Sequence, residues 1–362
     1  MKKLLAIVFA ALMLVAPLAF AVNVGSGIGV EIVTEDFPPL VWLCDSRVVT
    51  DDNTEPGRIS LGGQPLVERL YNYAFEGEGI SWLVLVMDKN GIEKVEDVFA
   101  TIGPTQGEGN DIEVNCDEDF TTDLLESCNA RILEEELTEF DADTMRYFRC
   151  NFVVETVDSM YGEYFITVEA TDLDGLSTTM DENEYWFLNP SIALTVDGDL
   201  TFDDVRPGTQ SYSDTLLVGN DADAGSGVML DMFITGTDFY DSSSSGAKCP
   251  VSNQLSLSNF RYYVVNGAYS SVTDLNIDPV DGDRDTDAEG YTNIEYGIGF
   301  NDPLPFYNNA EILQAPVVLA GYYPANSLSP GAEMAITFKL SLPEPCNGDF
   351  DSGSIYFWGE AI

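Results

Sequence analysis

The chain has 362 residues, 62 of them acidic and 15 basic, contains no histidine, and carries a formal net charge of −47. Without histidine there is no Ser-His-Asp or Cys-His catalytic pair, no imidazole base and no His-ligated zinc. A charge this negative repels DNA, RNA and anionic lipid, so no nucleic acid is expected as a partner. The apolar share of 45%, with 11% aromatic residues, is still enough to build packed cores rather than a disordered chain.

In chain order, the first element is a processing signal. Lys2 and Lys3 precede an apolar run from Leu4 to Val15, and Ala19-Phe20-Ala21 supplies the small-x-small cleavage site. Residues 1–21 therefore read as a signal peptide, with the mature chain beginning at Val22 and the protein exported to the cell surface or beyond. No Cys follows the site, so a lipid anchor is not expected. No later stretch is long and apolar enough to span a bilayer, so no integral membrane segment is expected. Residues 22–33 alternate apolar with small or polar residues. They form the first strand of their own sandwich, a leader to Cys44, or a strand that adds to a neighbouring subunit.

Strand signals follow to the end of the chain. Ile80–Val86 is a buried strand run, Asp88-Lys89-Asn90-Gly91 a tight turn, and Val95–Ile102 the next strand. Tyr147–Val154 alternates. In Tyr161–Ala170, Tyr164, Ile166 and Val168 share one face, while Phe165, Thr167 and Glu169 share the other. Asp172-Leu173-Asp174-Gly175 closes that strand, and Glu184–Leu188 ends at Asn189-Pro190. One segment, Thr122–Phe140, has an apolar pattern compatible with a helix or with an irregular excursion.

After Pro190 the pattern restarts. Ile192–Val196 is a strand, Arg206-Pro207-Gly208 a turn, and Ser213–Val218 and Val228–Thr235 are expected to pair across the loop 219–227. Further strands are expected over 260–265, 293–300, 316–322, 335–342 and 354–358. Both halves are acidic, so the charge is not a local tail.

The run around Gly162-Glu163-Tyr164 and the Asp-x-Asp-Gly turn after it resemble the late strands of immunoglobulin-like domains, over residues 68–189. The resemblance implies that the Tyr164 hydroxyl ties back to the backbone at a corner. Ile166 stands where an antibody domain has its second Cys, so that family's inter-sheet disulfide is absent. The second half resembles the immunoglobulin-like modules of secreted microbial cell-surface proteins. The expected fold is all-β: a signal peptide (1–21), an immunoglobulin-like sandwich with an N-terminal strand extension (22–189) and a second sandwich (190–362).

Six cysteines in an exported chain read as three disulfides. Cys249–Cys346 follows if bonds stay within halves. Among Cys44, Cys116, Cys128 and Cys150 three pairings are open. Strand-like surroundings favour Cys44–Cys150, and the acidic excursion between the other two favours Cys116–Cys128.

The densest chemical constellation is Asp281, Asp283, Asp285, Asp287 and Glu289, with carboxylates at alternate positions among turn-forming glycines. Oxygen ligands at that spacing suit a hard cation, and calcium is the expected ion outside the cell. The EF-hand pattern is not met, since Ala288 and Ile294 stand where Gly and Glu are required. The other reading of this loop is a solvated acidic turn. Asp172/Asp174, Asp197/Asp199 with Asp203/Asp204, and Asp221/Asp223 are smaller candidates of the same kind. Tyr262-Tyr263, Tyr322-Tyr323 and Tyr356-Phe357-Trp358 are candidate sugar-stacking aromatics, or ordinary core and sheet-face residues.

No aspartic-protease motif and no phosphate loop is present, and an enzyme is not expected. The expected function is a structural or adhesive protein of the cell envelope, a surface-layer, appendage or matrix component. It would self-associate or bind other envelope proteins by strand pairing, with calcium on its acidic loops. The alternative is an extracellular carbohydrate-binding protein with glycans as partners. A third reading is a glycoside hydrolase working through carboxylates alone.

Overall fold

Runs of β-branched and aromatic residues, punctuated by Gly, Pro and Asx turns, form strands throughout the computed structural model. It describes residues 36–51, 67–69, 71–107, 109–128, 135–180, 185–243, 246–271, 286–297, 310–313 and 324–362. The expected signal peptide and the segment 22–33 lie outside the described residues. The residues from Phe37 to Ile362 belong to one unit.

The first ten strands are β1 (Leu40–Thr50), β2 (Val67–Arg69), β3 (Tyr73–Ala74), β4 (Gly79–Met87), β5 (Val95–Gly103), β6 (Ile112–Asp119), β7 (Met145–Val153), β8 (Gly162–Asp172), β9 (Ser177–Met180) and β10 (Tyr185–Leu188). Next come β11 (Leu194–Asp197), β12 (Gln210–Asn220), β13 (Leu230–Gly236), β14 (Phe260–Asn266), β15 (Tyr269–Ser270), β16 (Thr292–Asn293), β17 (Glu295–Tyr296), β18 (Ser327–Leu328), β19 (Glu333–Ser341) and β20 (Ile355–Ala361). Three complete 3₁₀ turns are described, at Ile92–Lys94, Glu126–Cys128 and Leu257–Asn259, and no α-helix is present among the described residues. The fold is all-β.

Strands β1 to β10 follow the order β2-β1-β4-β7-β6-β5-β8-β10-β3, with β9 added on β8. The sheet turns over within β6, where residues 112–115 pair with β5 and 116–119 pair with β7. The two wings meet in a core of Val41, Ile80, Trp82, Val84 and Phe148 from one side and Val98, Ile102, Ile166, Val168 and Trp186 from the other. Each such fully buried side chain contributes about 1.5–3 kcal/mol from leaving water. Tyr164 packs half-buried against this core, and no hydrogen bond of its hydroxyl is present among the described residues.

The outer face of the β1-β4-β7 wing is covered as well. Trp42, Leu83, Leu85 and Tyr147 pack there with Cys128 and Leu137, and Leu124, Leu125 and Phe140 close over them. The described part of Thr122–Phe140 is thus an irregular cover with one 3₁₀ turn; residues 129–134 lie outside the described residues. Its apolar side chains meet a flat sheet face, and Tyr147 anchors it by donating its hydroxyl to the Asp123 carbonyl (3.2 Å) and accepting from the Leu125 amide (3.1 Å). Burial on both faces explains why Trp82–Val86 is a continuous apolar run.

Strands β11 to β20 form two sheets. One has the order β11-β12-β19-β14-β15 with β16 on β14; the other is β17-β13-β18 with β20 on β13. Between them lies a core that includes Val218, Leu230, Met232, Ile234, Tyr262, Val264, Ile336 and Phe338. The expected hairpin of 213–218 with 228–235 does not form: β12 pairs with β11 and β19, while β13 pairs with β17, β18 and β20 in the opposite sheet. Buried Asn220 directs the chain across. Its amide donates to the Val228 and Leu328 carbonyls (2.9 and 2.8 Å), and its Oδ1 accepts from the Ala222 amide (2.9 Å). The two Pro-Gly devices are real turns, closed by Thr209 N–H to Arg206 O and Ala332 N–H to Ser329 O. Gly208 and Gly331 take φ of 76° and 78°, the left-handed position a type II turn requires.

Three disulfides are present: Cys44–Cys128, Cys116–Cys150 and Cys249–Cys346. The last is the pair expected within the second half. The favoured Cys44–Cys150 and Cys116–Cys128 pairings are corrected, and strand parity gives the reason. Cys44 sits opposite Leu83, which sits opposite Arg149. Cys150 is therefore two strands away and one residue out of phase, facing the inner core while Cys44 faces the outer cover. Cys116 lies directly opposite Cys150 in the neighbouring strand. Cys44 instead meets Cys128 and fastens the cover to the sheet.

Strand β3 joins the two cores. Ala74 belongs to the first and Tyr73 to the second, as alternation along a strand dictates. Tyr71, Phe75 and Phe187 also pack on the second core. The Tyr73 hydroxyl donates to the Ile362 carbonyl, and the Arg69 guanidinium lies 4.7 Å from the Tyr73 ring centroid.

Candidate functional site

The predicted cation loop is only partly placed. Asp281, Asp283 and Asp285 lie outside the described residues. Asp287 and Glu289 are described, and both are engaged by Lys339, whose Nζ lies 2.8 Å from Asp287 Oδ2 and 2.9 Å from Glu289 Oε2. Lys339 is buried on β19 beneath the rings of Tyr291 and Tyr212, 5.5 and 6.0 Å from its ammonium. Burial opposes the charge on Lys339, but its two carboxylate partners outweigh that and raise its pKa. Burial likewise opposes ionisation of Asp287; hydrogen bonds from Lys339 and from the Tyr291 and Glu289 amides win and lower its pKa. These two carboxylates thus already hold a cation, supplied by the chain itself.

Three of the smaller acidic candidates, Asp172, Asp174 and Asp223, have partners within the chain. Asp172 Oδ1 accepts from the amides of Asp174 and Leu176 (3.0 and 2.7 Å), and Asp174 pairs with Lys94 at 2.9 Å. Asp223 links the two halves: its Oδ2 accepts from the Ser191 amide at 2.8 Å and the Tyr161 hydroxyl at 2.9 Å. The Ser191 amide is the main reason its pKa is lowered. Asp197, Asp199, Asp203 and Asp204 are exposed. Among the described residues no group of three or more acidic or Cys ligands is arranged to hold a metal ion.

Among the described residues, the predicted aromatics lie in the core and on sheet faces. Tyr262 is fully buried and donates its hydroxyl to the Ile312 carbonyl (2.8 Å), while Tyr263 is half-buried against Tyr291. Tyr356, Phe357 and Trp358 are half-buried on β20, with Trp358 donating to Thr235 Oγ1 at 3.1 Å. Tyr322 and Tyr323 lie outside the described residues.

A different pair of aromatics lines a cleft. Strand β13 ends at Gly236, where β17 and β20 also meet it: Gly236 pairs with Tyr296 on one side and Ile355 on the other. Beyond Gly236 the chain continues through Thr237, Asp238 and Tyr240 along Ser352–Ser354, tied by Thr237 N–H to Ser354 O (2.9 Å) and by reciprocal Tyr240–Ser352 bonds (2.7 and 2.9 Å). These segments enclose an open cleft of about 550 Å³, lined by Tyr240 and Tyr296 with Asp238, Thr237, Ser352 and Ser354. Tyr240 and Tyr296 are 43% and 56% exposed. Glycine is required at position 353 of its lining, where a Cβ would stand 2.5 Å from the Phe239 ring and 2.8 Å from the Asp238 carbonyl oxygen.

Asp238 organises the cleft. Its Oδ1 accepts from the Leu257 amide and the Tyr296 hydroxyl, both at 2.8 Å, and its Oδ2 accepts from the Gln254 amide group. Burial works against its charge, but these bonds prevail and hold its pKa below the usual carboxylate range. The Tyr296 hydroxyl also meets Ser256 Oγ at 2.9 Å; burial above all keeps this phenol protonated and its pKa raised. The cleft therefore presents two exposed rings, one of them fixed by hydrogen bonds, beside hydroxyls and a saturated carboxylate. Sequence pattern passes over Tyr240 and Tyr296 because neither lies in a long apolar run. Their one local sign is a Tyr beside acidic or Gly residues, in Asp238-Phe239-Tyr240-Asp241 and Glu295-Tyr296-Gly297.

No protein-family model matches the chain, and no curated protein matches it. Among solved structures it is similar to a DUF4466 family protein from Parabacteroides merdae, with 11% identity over 82% of this chain and 99% of that one and a TM-score of 0.22. It is also similar to the sialic acid binding region of a Streptococcus sanguinis adhesin, with 14% identity over 86% and 70% and a TM-score of 0.21. A third match is a protein from Eubacterium rectale described as secreted, with 10% identity over 94% and 98% and a TM-score of 0.23. TM-scores this low do not establish a shared topology.

Proposed function

We propose that this chain is a non-enzymatic extracellular protein of the cell envelope, structural or adhesive in role, built of two immunoglobulin-like sandwiches. The observation that carries the reading is the bracing. Three disulfides fasten the strands and the outer cover, a form of stabilisation that belongs to an oxidising compartment. The strand β3 and the Asp223 ties couple the two halves mechanically, which suits a protein that bears load or presents a surface. The lack of histidine and the engagement of Asp287, Glu289 and Asp238 by neighbouring donors support a non-catalytic role.

The test is electron microscopy and sedimentation of the full exported chain, with and without millimolar calcium, together with rebinding to cells stripped of surface protein. Ordered assemblies or saturable rebinding are expected. Dispersed monomers that do not rebind, or turnover of glycoside substrates, would overturn the reading. A second reading, extracellular carbohydrate binding, is favoured by the Tyr240–Tyr296 cleft.

A further inference from the structure

We infer that the cleft where β13, β17 and β20 meet binds a neutral saccharide, with the rings of Tyr296 and Tyr240 as its stacking surfaces and Ser352, Ser354 and Thr237 as polar partners. The inference deepens the carbohydrate-binding reading and rests on it. The volume of about 550 Å³ lies within the range of about 300–1,000 Å³ usual for small-ligand sites. The side chains have the composition such a ligand needs. A pyranose offers a C–H face that packs on an aromatic ring and a rim of hydroxyls that both donate and accept. Tyr296 is held by Asp238 and Ser256 before any ligand arrives, so little conformational freedom is lost on binding. The hydroxyls of Ser352 and Ser354 have no hydrogen-bond partner among the described residues and can take up sugar hydroxyls.

Charge selects the class of sugar. Asp238 lines the cleft, Asp241 follows Tyr240 and Asp351 precedes Ser352, on a chain whose net charge is −47. An anionic glycan would be repelled on approach and left without a cationic partner inside. A cationic ligand finds no open carboxylate in Asp238, since both oxygens already accept hydrogen bonds. A neutral sugar meets neither penalty.

The experiment is a glycan array with the full exported chain, followed by calorimetric titration of the best-bound oligosaccharide into the parent chain and into Tyr296→Ala, Tyr240→Ala and Tyr296→Phe. Neutral glycans are expected to bind in preference to sialylated or sulfated ones. Tyr296→Ala and Tyr240→Ala should each weaken binding about tenfold or more, and Tyr296→Phe, which keeps the ring, by less. Melting temperatures check folding; should Tyr296→Ala fail to fold, the exposed Tyr240→Ala carries the test. Glycan binding untouched by the tyrosine variants would overturn this site while leaving the carbohydrate reading standing. A preference for charged glycans would overturn the ligand class. No glycan binding at all would overturn both the site and the carbohydrate reading.

Discussion

Asp231 sits on β13 with its carboxylate almost wholly withdrawn from water, directly opposite Glu360 on β20 and near Glu311. Burial foremost, and then these two acids, push its pKa up to about 7, against the opposing hydrogen bond from Asn326 at 2.7 Å. The folded state therefore binds a proton that the unfolded state releases near pH 4, and stability from this group falls as pH rises from about 4 to about 7. Asp231→Asn should remove that slope and stabilise the protein at neutral pH by on the order of 2–4 kcal/mol, read by urea denaturation across the window. An unchanged slope would mean another group carries it. Residues of this kind are invisible in sequence, since an acid inside Leu230–Gly236 looks like the polar member of an alternating strand. Tyr240 and Tyr296 were equally hidden, because their exposure depends on where three strands end. Asp287 and Glu289 were legible as a dense acidic pair, but their partner Lys339 lies 50 or more residues away.

Elements were read more faithfully than their partners. Strands β4, β5, β7, β8, β10, β14, β19 and β20 fall where β-branched and aromatic runs place them, and the Pro-Gly and Asx-Gly turns close as their residues require. Strand β6 (Ile112–Asp119) escaped because its sequence, with five polar or acidic residues around Cys116, reads as a loop; it is a strand because β5 and β7 flank it on either side. The expected pairing of β12 with β13 failed because a short loop between strands is equally compatible with a crossing between sheets, and only the buried side chain of Asn220 decides. The same dependence on parity reversed the cysteine pairing. A non-reducing digest should yield peptides linking Cys44 to Cys128 and Cys116 to Cys150; a Cys44–Cys150 peptide would contradict the register of β1, β4 and β7. Removing the Cys44–Cys128 bond by serine substitution should cost about 2–5 kcal/mol, and it should loosen the cover over Tyr147 before the inner core.

At the scale of the whole molecule, the all-β class and the acidity of both halves were legible, whereas the coupling between halves was not. A boundary near Pro190 is marked by local punctuation, but the joint is made by β3, more than a hundred residues earlier, with Tyr73 in one core and Ala74 in the other. Tyr73→Ala removes a fully buried aromatic and the bond to Ile362, and should cost about 3–5 kcal/mol. Calorimetry should show one unfolding transition in the parent chain and two in the variant; two transitions already in the parent would mean that the halves are not coupled. That coupling, with three disulfides and the spread of negative charge, underlies the reading of an envelope protein. The most direct test is immunogold labelling of intact cells of the source organism, with surface protease treatment as the control. The account predicts dense label on the outer face that protease removes. Label that appears only after cells are permeabilised would contradict it.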